Sequence, residues 1–329
     1  MPYLCGMHSI AELSTLIEEG IFNAGFPQQP TGLYDPARYI LSVGGKRIRP
    51  LLALMGAQVF ADDVKSHLPV ALAMEVFHNF TLVHDDIMDN APLRRGKQTV
   101  HEKWDVHTAI LSGDAMMIQS YVLLAGGPSN ALMPLIDMFN KTALAVCEGQ
   151  QDDMDFEKSE EVEIDAYLEM IAKKTSVLLG CSLYCGAISA GANEDQAALL
   201  YEAGLKLGIS FQIQDDILDT YGDSSFGKQT GGDIARNKKT ILFLMARDLA
   251  NETDCALLLR LYHDSASSES EKIAAVRNIF DKYAVKEHAE SLMARYYEES
   301  RAALSSLHST KNGVDPLLKL FDQVFTRTT

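Results

Sequence analysis

Positive charge is what this 329-residue chain has too little of: 29 lysines and arginines stand against 45 aspartates and glutamates, a formal net charge of −16. So acidic a surface argues against nucleic acid as a partner, and no basic stripe contradicts it. It also disfavours anionic small molecules, unless the few cations gather in one place. Long apolar runs are missing as well. No stretch reaches the roughly 18 apolar residues that cross a bilayer. The longest candidate, "SVLLGCSLYCGAISAG" at 176–191, is interrupted by Gly, Ser, Ala and Cys and reads as a closely packed buried helix. The N-terminus shows no basic-then-apolar leader, so a cytoplasmic protein without membrane insertion is expected. Cysteine is sparse and odd in number, five residues at 5, 147, 181, 185 and 255. Cys181 and Cys185 have no second pair or histidines nearby, which makes a poor zinc site, and they read as small core residues.

Alternating strand patterns are scarce, and there is no proline-rich linker, low-complexity segment or break in composition. With 47% hydrophobic residues there is ample material for a core. Helical periodicity predicts helices near 7–20, 35–42, 46–60, 68–90, 106–125, 130–157, 162–191, 195–221, 238–250, 270–280, 284–308 and 314–325. Turn signals such as "GFPQQPTG", "LRRGKQ", "GGPSN" and "GDSSFGKQTGGD" separate them. The expectation is an all-α chain folded as a single domain over residues 1–329.

Two phrases stand out, "VHDDIMDN" at 83–90 and "IQDDILDT" at 213–220. On a helix, Asp85 and Asp89 project from one face with Asp86 beside them, and Asp215, Asp216 and Asp219 repeat the pattern. Like charges four apart destabilise a helix by a few tenths of a kcal/mol. A hard divalent cation offsets that, and Mg²⁺ prefers carboxylate oxygens, water and substrate phosphate. A solvated acidic surface would explain one such phrase, but the apolar flanks "NFTLVHDD" and "GISFQIQDD" do not suit a water-facing helix. A di-iron bundle needs glutamates and repeated Glu-x-x-His, and only Glu75–His78 matches. His84–Asp85 alone does not make a phosphohydrolase site. The repetition suggests two matching helices facing one cavity.

The scarce cations cluster beside these phrases. "GGKRIRP" supplies Lys46, Arg47 and Arg49 in a glycine-rich turn entering a helix, a good anion cradle. "LRRGKQ" brings Arg94 and Arg95, "KKT" brings Lys174 and Thr175, and "FGKQTGGDIARNKKT" brings Lys228 and Lys238. Together they read as a diphosphate site, arginine gripping phosphate bidentately and lysine acting as a point charge. His78 lies two turns before Asp85 on the same face, a candidate phosphate donor. "GDSSFGKQ" imitates the start of a P-loop but has Gln229 where Ser or Thr would bind Mg²⁺, and it follows a helix.

With these motifs the chain resembles the trans-isoprenyl diphosphate synthases, or polyprenyl synthetases, over residues of about 40 to 245. "DDIMDNAPLRRG", "DDILD" preceded by "FQIQ", "GGKRIRP", Gly149–Gln150 with Asp153, "KT" and "K-x-T" carry the resemblance. It implies an all-α bundle around a deep cavity, usually a homodimer, that joins isopentenyl diphosphate to an allylic diphosphate. It also implies Mg²⁺ on Asp85 and Asp89 with Asp86 in support, and on Asp215 with Asp216 and Asp219. Lys46, Arg49, His78 and Arg95 would hold isopentenyl diphosphate. Arg94, Lys174, Lys228 and Lys238 would hold the allylic diphosphate, with Gln212 and Thr175 near the reacting carbons. The pattern departs from the family at Asn237, where Gly is frequent, and in a C-terminus that is not basic. In such enzymes the residues before the first aspartate phrase set product length. Thr81 lies about 40° from Asp85 around the helix and Phe80 about 140°, which favours a short product, C20 geranylgeranyl ahead of C15 farnesyl diphosphate. A non-catalytic partner subunit would be expected to lose aspartates, and a class I terpene cyclase would replace "DDILD"; the sequence does neither.

Overall fold

The computed structural model describes residues 8–159, 161–222, 230–263, 268–308 and 310–326. Helices make almost all of it, as periodicity predicts, and the only strand pairing among the described residues joins Leu93–Arg94 to Lys97–Gln98. Local chemistry accounts for the helix ends. Ser9 and Glu12 close a capping box on Ile10–Phe22, Ser268 and Glu271 do the same for Glu269–Lys282, and Asp105 caps Val106–Ala125 through the Thr108 N–H. Gly191, at φ 91°, stops Val177–Ser189, and the Ala192 N–H turns back to the Ala187 carbonyl.

Three details differ from the periodicity reading. A helix at Glu252–His263 fills a stretch left as loop; Asn251 caps it by accepting the Asp254 N–H at 2.9 Å. Its apolar residues run together instead of recurring at helical intervals, which hid it. The helix expected over 162–191 is three pieces: Ile164–Ile171, a π-turn at Ala172–Ser176, and Val177–Ser189. And one helix, Val106–Ala125, is long and apolar enough to cross a membrane by length and composition, with mean hydropathy 1.3 and 33% of the window buried. The sequence reading missed it because Asp114 and polar residues interrupt the apolar run.

The chain divides into two compact units. The first comprises residues 1–141, 178–201 and 306–317; the second comprises residues 142–177, 202–305 and 318–329. In the first, Leu13, Ile17, Leu52, Leu54, Met74 and Phe77 are fully buried, and Phe77 packs edge-on to Phe139 at 4.9 Å. Cys181 and Cys185 are buried with their sulfurs 3.7 Å apart and serve as core, as expected. In the second, Ile213, Ile241, Phe243, Leu258, Val276 and Phe280 form the core.

Within the first unit, Ile48–Gln58 and Val177–Ser189 meet backbone to backbone. A Cβ on Gly186 would lie 1.9 Å from the Ala53 carbonyl oxygen, and one on Gly56 would lie 2.7 Å from that of Leu183. Two rigid backbones cannot yield as a side chain can. Gly186→Ala is expected to cost at least about 2 kcal/mol in urea unfolding, while Gly32→Ala, where a Cβ meets nothing within 4 Å, is expected to be neutral or slightly stabilising. Equal stability of the two variants would refute the close approach.

Candidate active site

In the first unit the two basic turns converge. Gly44 and Gly45, at φ 89° and 146°, let the chain double back before Ile48–Gln58 begins. The turn between Leu93–Arg94 and Lys97–Gln98 has Arg95 and Gly96 at φ 53° and 75°, the paired positive values of a tight hairpin. Arg95 folds over Gly45 so closely that a Cβ there would sit 2.4 Å from its guanidinium. An Arg49 guanidinium nitrogen lies 3.0 Å from Nε2 of His78. Because arginine only donates, that histidine nitrogen accepts. Burial, and then Arg49 and Arg95, hold His78 well below the ordinary histidine range, so it is neutral at pH 7. Burial likewise pushes Arg49 down to about 10, leaving it charged. Nε of Arg49 is buried with no hydrogen-bond partner. An orphaned donor among crowded guanidiniums is the electrostatic profile of an anion site. Lys46, in the same glycine-rich turn, is exposed.

The neighbouring arginine turns the other way. Arg94 Nε donates to both oxygens of Asp86 at 2.8 and 2.9 Å, and the same guanidinium reaches Asp85 at 3.6 Å. Arg94, expected to grip a diphosphate, is therefore held by the first aspartate phrase. Phe80 stands between Phe77 and His84, ring centroids 5.5 and 4.8 Å away, and Thr81 donates to the His78 carbonyl. Glu75, half of the isolated Glu-x-x-His match, pairs with Arg47 at 2.6 Å.

The second unit holds a cavity of about 180 Å³ lined by Asp153, Lys174, Thr175, Gln212, Asp216 and Lys238, among others. The π-turn presents Lys174 and Thr175. Lys174 pairs with Asp153 at 2.6 Å, and Thr175 donates to Gln212 at 3.3 Å. Asp216 accepts from Gln212, from the Ile241 N–H and from the Tyr167 hydroxyl. Burial, reinforced by Asp233, pushes its carboxyl up to about 7 although Tyr167 and Gln212 pull the other way. Asp219 accepts the Asp233 N–H at 2.9 Å. Asn237 has φ 60°, the left-handed value glycine adopts freely, and its side chain accepts from Lys272; the departure from the family's glycine is thereby accommodated. Lys228 lies outside the described residues. Tyr167 and Asp233 were missed in the sequence; Tyr167 stands seven residues before Lys174, close to two turns, which is the one signal that could have found it.

The two aspartate phrases share a design. Each ends its helix, Leu68–Met88 with Asp89 as cap and Glu194–Tyr221. In each the middle aspartate is buried, Asp86 at 1% and Asp216 at 3% exposure, while its companions are more open. Carboxylates at a helix C-terminus oppose the macrodipole. The middle ones are held by protein donors, and Asp85, Asp89, Asp215 and Asp219, which are more open, offer the hard oxygens a divalent cation suits. Among the described residues no three His, Cys, Asp or Glu side chains converge as a ready-made metal cage. Mg²⁺, which keeps waters and shares phosphate oxygens, does not require one.

Comparison with known proteins gives the same reading. The family model for polyprenyl synthetase matches residues 30–280. A geranylgeranyl pyrophosphate synthase from Geoglobus acetivorans is 35% identical over 320 residues, 97% of this chain and 98% of that one. A solved geranylgeranyl pyrophosphate synthase superposes with a TM-score of 0.91 at 41% identity, covering 98% of this chain and all of the other. A polyprenyl synthase from Caulobacter crescentus CB15, solved with calcium and isoprenyl diphosphate, has a TM-score of 0.86 at 25% identity over 98% of this chain and 99% of its own. The chain belongs to the polyprenyl synthetase family.

Proposed function

We propose that this chain is a prenyltransferase that condenses isopentenyl diphosphate with allylic diphosphates to a short product, C20 geranylgeranyl ahead of C15 farnesyl diphosphate. The observation that carries it is the cradle in which the guanidiniums of Arg49 and Arg95 crowd beside a neutral His78, in a chain of net charge −16. In so acidic a molecule, cations held against one another are maintained only where an anion repays the repulsion. Lys46, Arg49, His78 and Arg95 hold the isopentenyl diphosphate. Lys174, Lys228 and Lys238 serve the allylic diphosphate, and Arg94 fixes Asp86 and through it the first phrase. Gln212 and Thr175, hydrogen-bonded to each other, present dipoles but no strong nucleophile, so an allylic cation meets the alkene instead of a protein group. Bound Mg²⁺, on Asp85 and Asp89 and on Asp215 and Asp219, would supply charge stabilisation to the departing diphosphate. The relatives' names support the C20 product, and the one aromatic at Phe80 beside the smaller Thr81 supports a short limit. A non-catalytic subunit or a terpene cyclase would lack one of the two matched phrases.

We further propose a homodimer. Val106, Ile110, Ile118 and Val122 are 44%, 42%, 65% and 56% exposed along one helix on either side of Asp114, exposed apolar residues of the kind a second copy covers.

Labelled isopentenyl diphosphate should enter chain-lengthened product only with Mg²⁺ present. Asp85→Ala and Asp215→Ala should each lower kcat by at least about a hundredfold with unchanged circular dichroism. Full turnover in a chelated assay would overturn the assignment. Phe80→Ala should move the main product up by at least one isoprene unit, read by chromatography, because a lost ring opens space below the tail. An unchanged product would place the floor on another residue.

A further inference from the structure

The glycine-rich turn offers three cations, yet the middle one, Arg47, is not presented with its neighbours. It caps Ile48–Gln58 in the left-handed region, φ 48° and ψ 36°, and that twist sends its side chain inward, leaving it 7% exposed. All three of its nitrogens are spent. Nη1 donates to Glu75 at 2.6 Å, Nη2 to the Leu41 carbonyl at 2.5 Å, and Nε to Glu18 at 3.1 Å. Glu75 is itself buried, and its Oε1 also accepts from Asn79 at 2.8 Å. The guanidinium thus ties the turn to three helices at once: Ile10–Phe22 through Glu18, Thr31–Ser42 through Leu41, and Leu68–Met88 through Glu75.

Glu75 stands one turn before His78 on the same helix, and His78 meets Arg49, two residues after Arg47. The turn is therefore fastened to that helix at two adjacent points, once by Arg47 to Glu75 and once by Arg49 to His78. The second contact is the proposed diphosphate cradle. The first anchors the second, because the backbone that carries Arg49 is strained at Arg47 and such a conformation persists only where surrounding contacts over-determine it. We propose that Arg47, fixed by Glu75 and Asn79, is a positioning residue that sets the geometry of Arg49 and His78 for the isopentenyl diphosphate. This rests on the prenyltransferase reading of the same site. Glu75 also cancels most of the charge of Arg47, so the pair contributes placement and little attraction.

Arg47→Lys keeps the charge but loses the planar fork. Glu75→Gln keeps the shape but removes the buried anion, leaving Arg47 less compensated beside the cradle, with the half-exposed Glu18 as its remaining carboxylate partner. A positioning role predicts that both raise KM for isopentenyl diphosphate about tenfold, with kcat and the allylic KM changed less than about twofold. A purely electrostatic role predicts the opposite for the second variant, since a less compensated arginine attracts diphosphate more, so a lowered KM in Glu75→Gln overturns the proposal. A wild-type KM in Arg47→Lys overturns it too. So does a parallel fall of kcat and both KM values with a lower unfolding midpoint, or failure of both variants to fold, either of which makes the pair a requirement of the fold only. If the wild type incorporates no isopentenyl diphosphate, the prenyltransferase reading fails separately. Inorganic diphosphate titrated calorimetrically then tests the cradle, with binding weakened about tenfold by Arg47→Lys supporting the positioning role and unchanged binding overturning it.

Discussion

Carboxylates at the negative ends of two helices are the constraint from which the rest of the site follows. Three aspartates within five residues repel one another, and the backbone carbonyls at the end of a helix repel them again. An ion taken out of water costs several kcal/mol unless paired or hydrogen-bonded. The chain meets this cost in two ways. Asp86 takes a formal cation, Arg94, on both oxygens. Asp216 takes only neutral donors, a phenol, an amide side chain and a backbone N–H; burial, reinforced by Asp233, outweighs them and pushes its carboxyl up to about 7. With the middle carboxylate of each phrase anchored to protein, the outer ones are set in direction and remain accessible.

The complementary half of the problem is to gather positive charge in an acidic chain. Two non-glycine residues there, Arg47 and Arg95, adopt left-handed backbone conformations beside Gly44, Gly45 and Gly96. Such conformations cost of order 1 kcal/mol each and persist only when surrounding contacts over-determine them. For Arg47 those contacts are the carboxylate and carbonyl oxygens it binds. For Arg95 they are the hairpin turn and the bare backbone of Gly45 beneath it. Local propensity is overridden here because side-chain direction matters more than backbone comfort: a left-handed residue redirects its side chain relative to its neighbours, which is how consecutive cations come to serve different purposes.

How much of this is legible in the sequence follows from what periodicity and motif can carry. Long helices with spaced apolar residues, such as Leu68–Met88 and Glu194–Tyr221, are read nearly to the residue. The matched aspartate phrases and their flanking cations are legible because hard-cation and phosphate chemistry restricts residue types strongly. The helix at Glu252–His263 is not, since its apolar residues are consecutive and only the Asn251 cap announces it. Nor is the π-turn at Ala172–Ser176, which comes from one extra residue in the hydrogen-bond ladder and leaves no compositional mark. Tyr167 and Asp233 escape for a related reason: both act on aspartates distant in sequence, and nothing local distinguishes them from ordinary helix residues. Arg94 and Arg95, which the resemblance gives to different diphosphates, do part in the structure: Arg94 closes its strand against Asp86, and Arg95 stands in the turn over Gly45.

The same divergence recurs in each unit: several of the described cations stand as adjacent pairs, and within a pair the two side chains meet different partners. Lys46 is exposed while Arg47 is buried against Glu75. Arg95 covers Gly45 while Arg94 binds Asp86. Lys174 lines the cavity of the second unit while Lys173 pairs with Asp152 and Glu169. Lys238 and Lys239 both line that cavity, and Lys239 also donates to the carbonyls of Phe156, Glu157 and Ser159, closing the end of Leu132–Lys158 as a cation at a helix C-terminus should. Adjacent residues diverge by about 100° on a helix and about 180° on a strand, so a doublet cannot converge on one phosphate without strain. What the doublet does provide is a fixed point one residue away from each working cation. A long flexible side chain loses up to about 2 kcal/mol of rotamer entropy when it is ordered, and anchoring the backbone beside it limits what remains to be ordered when the ligand binds.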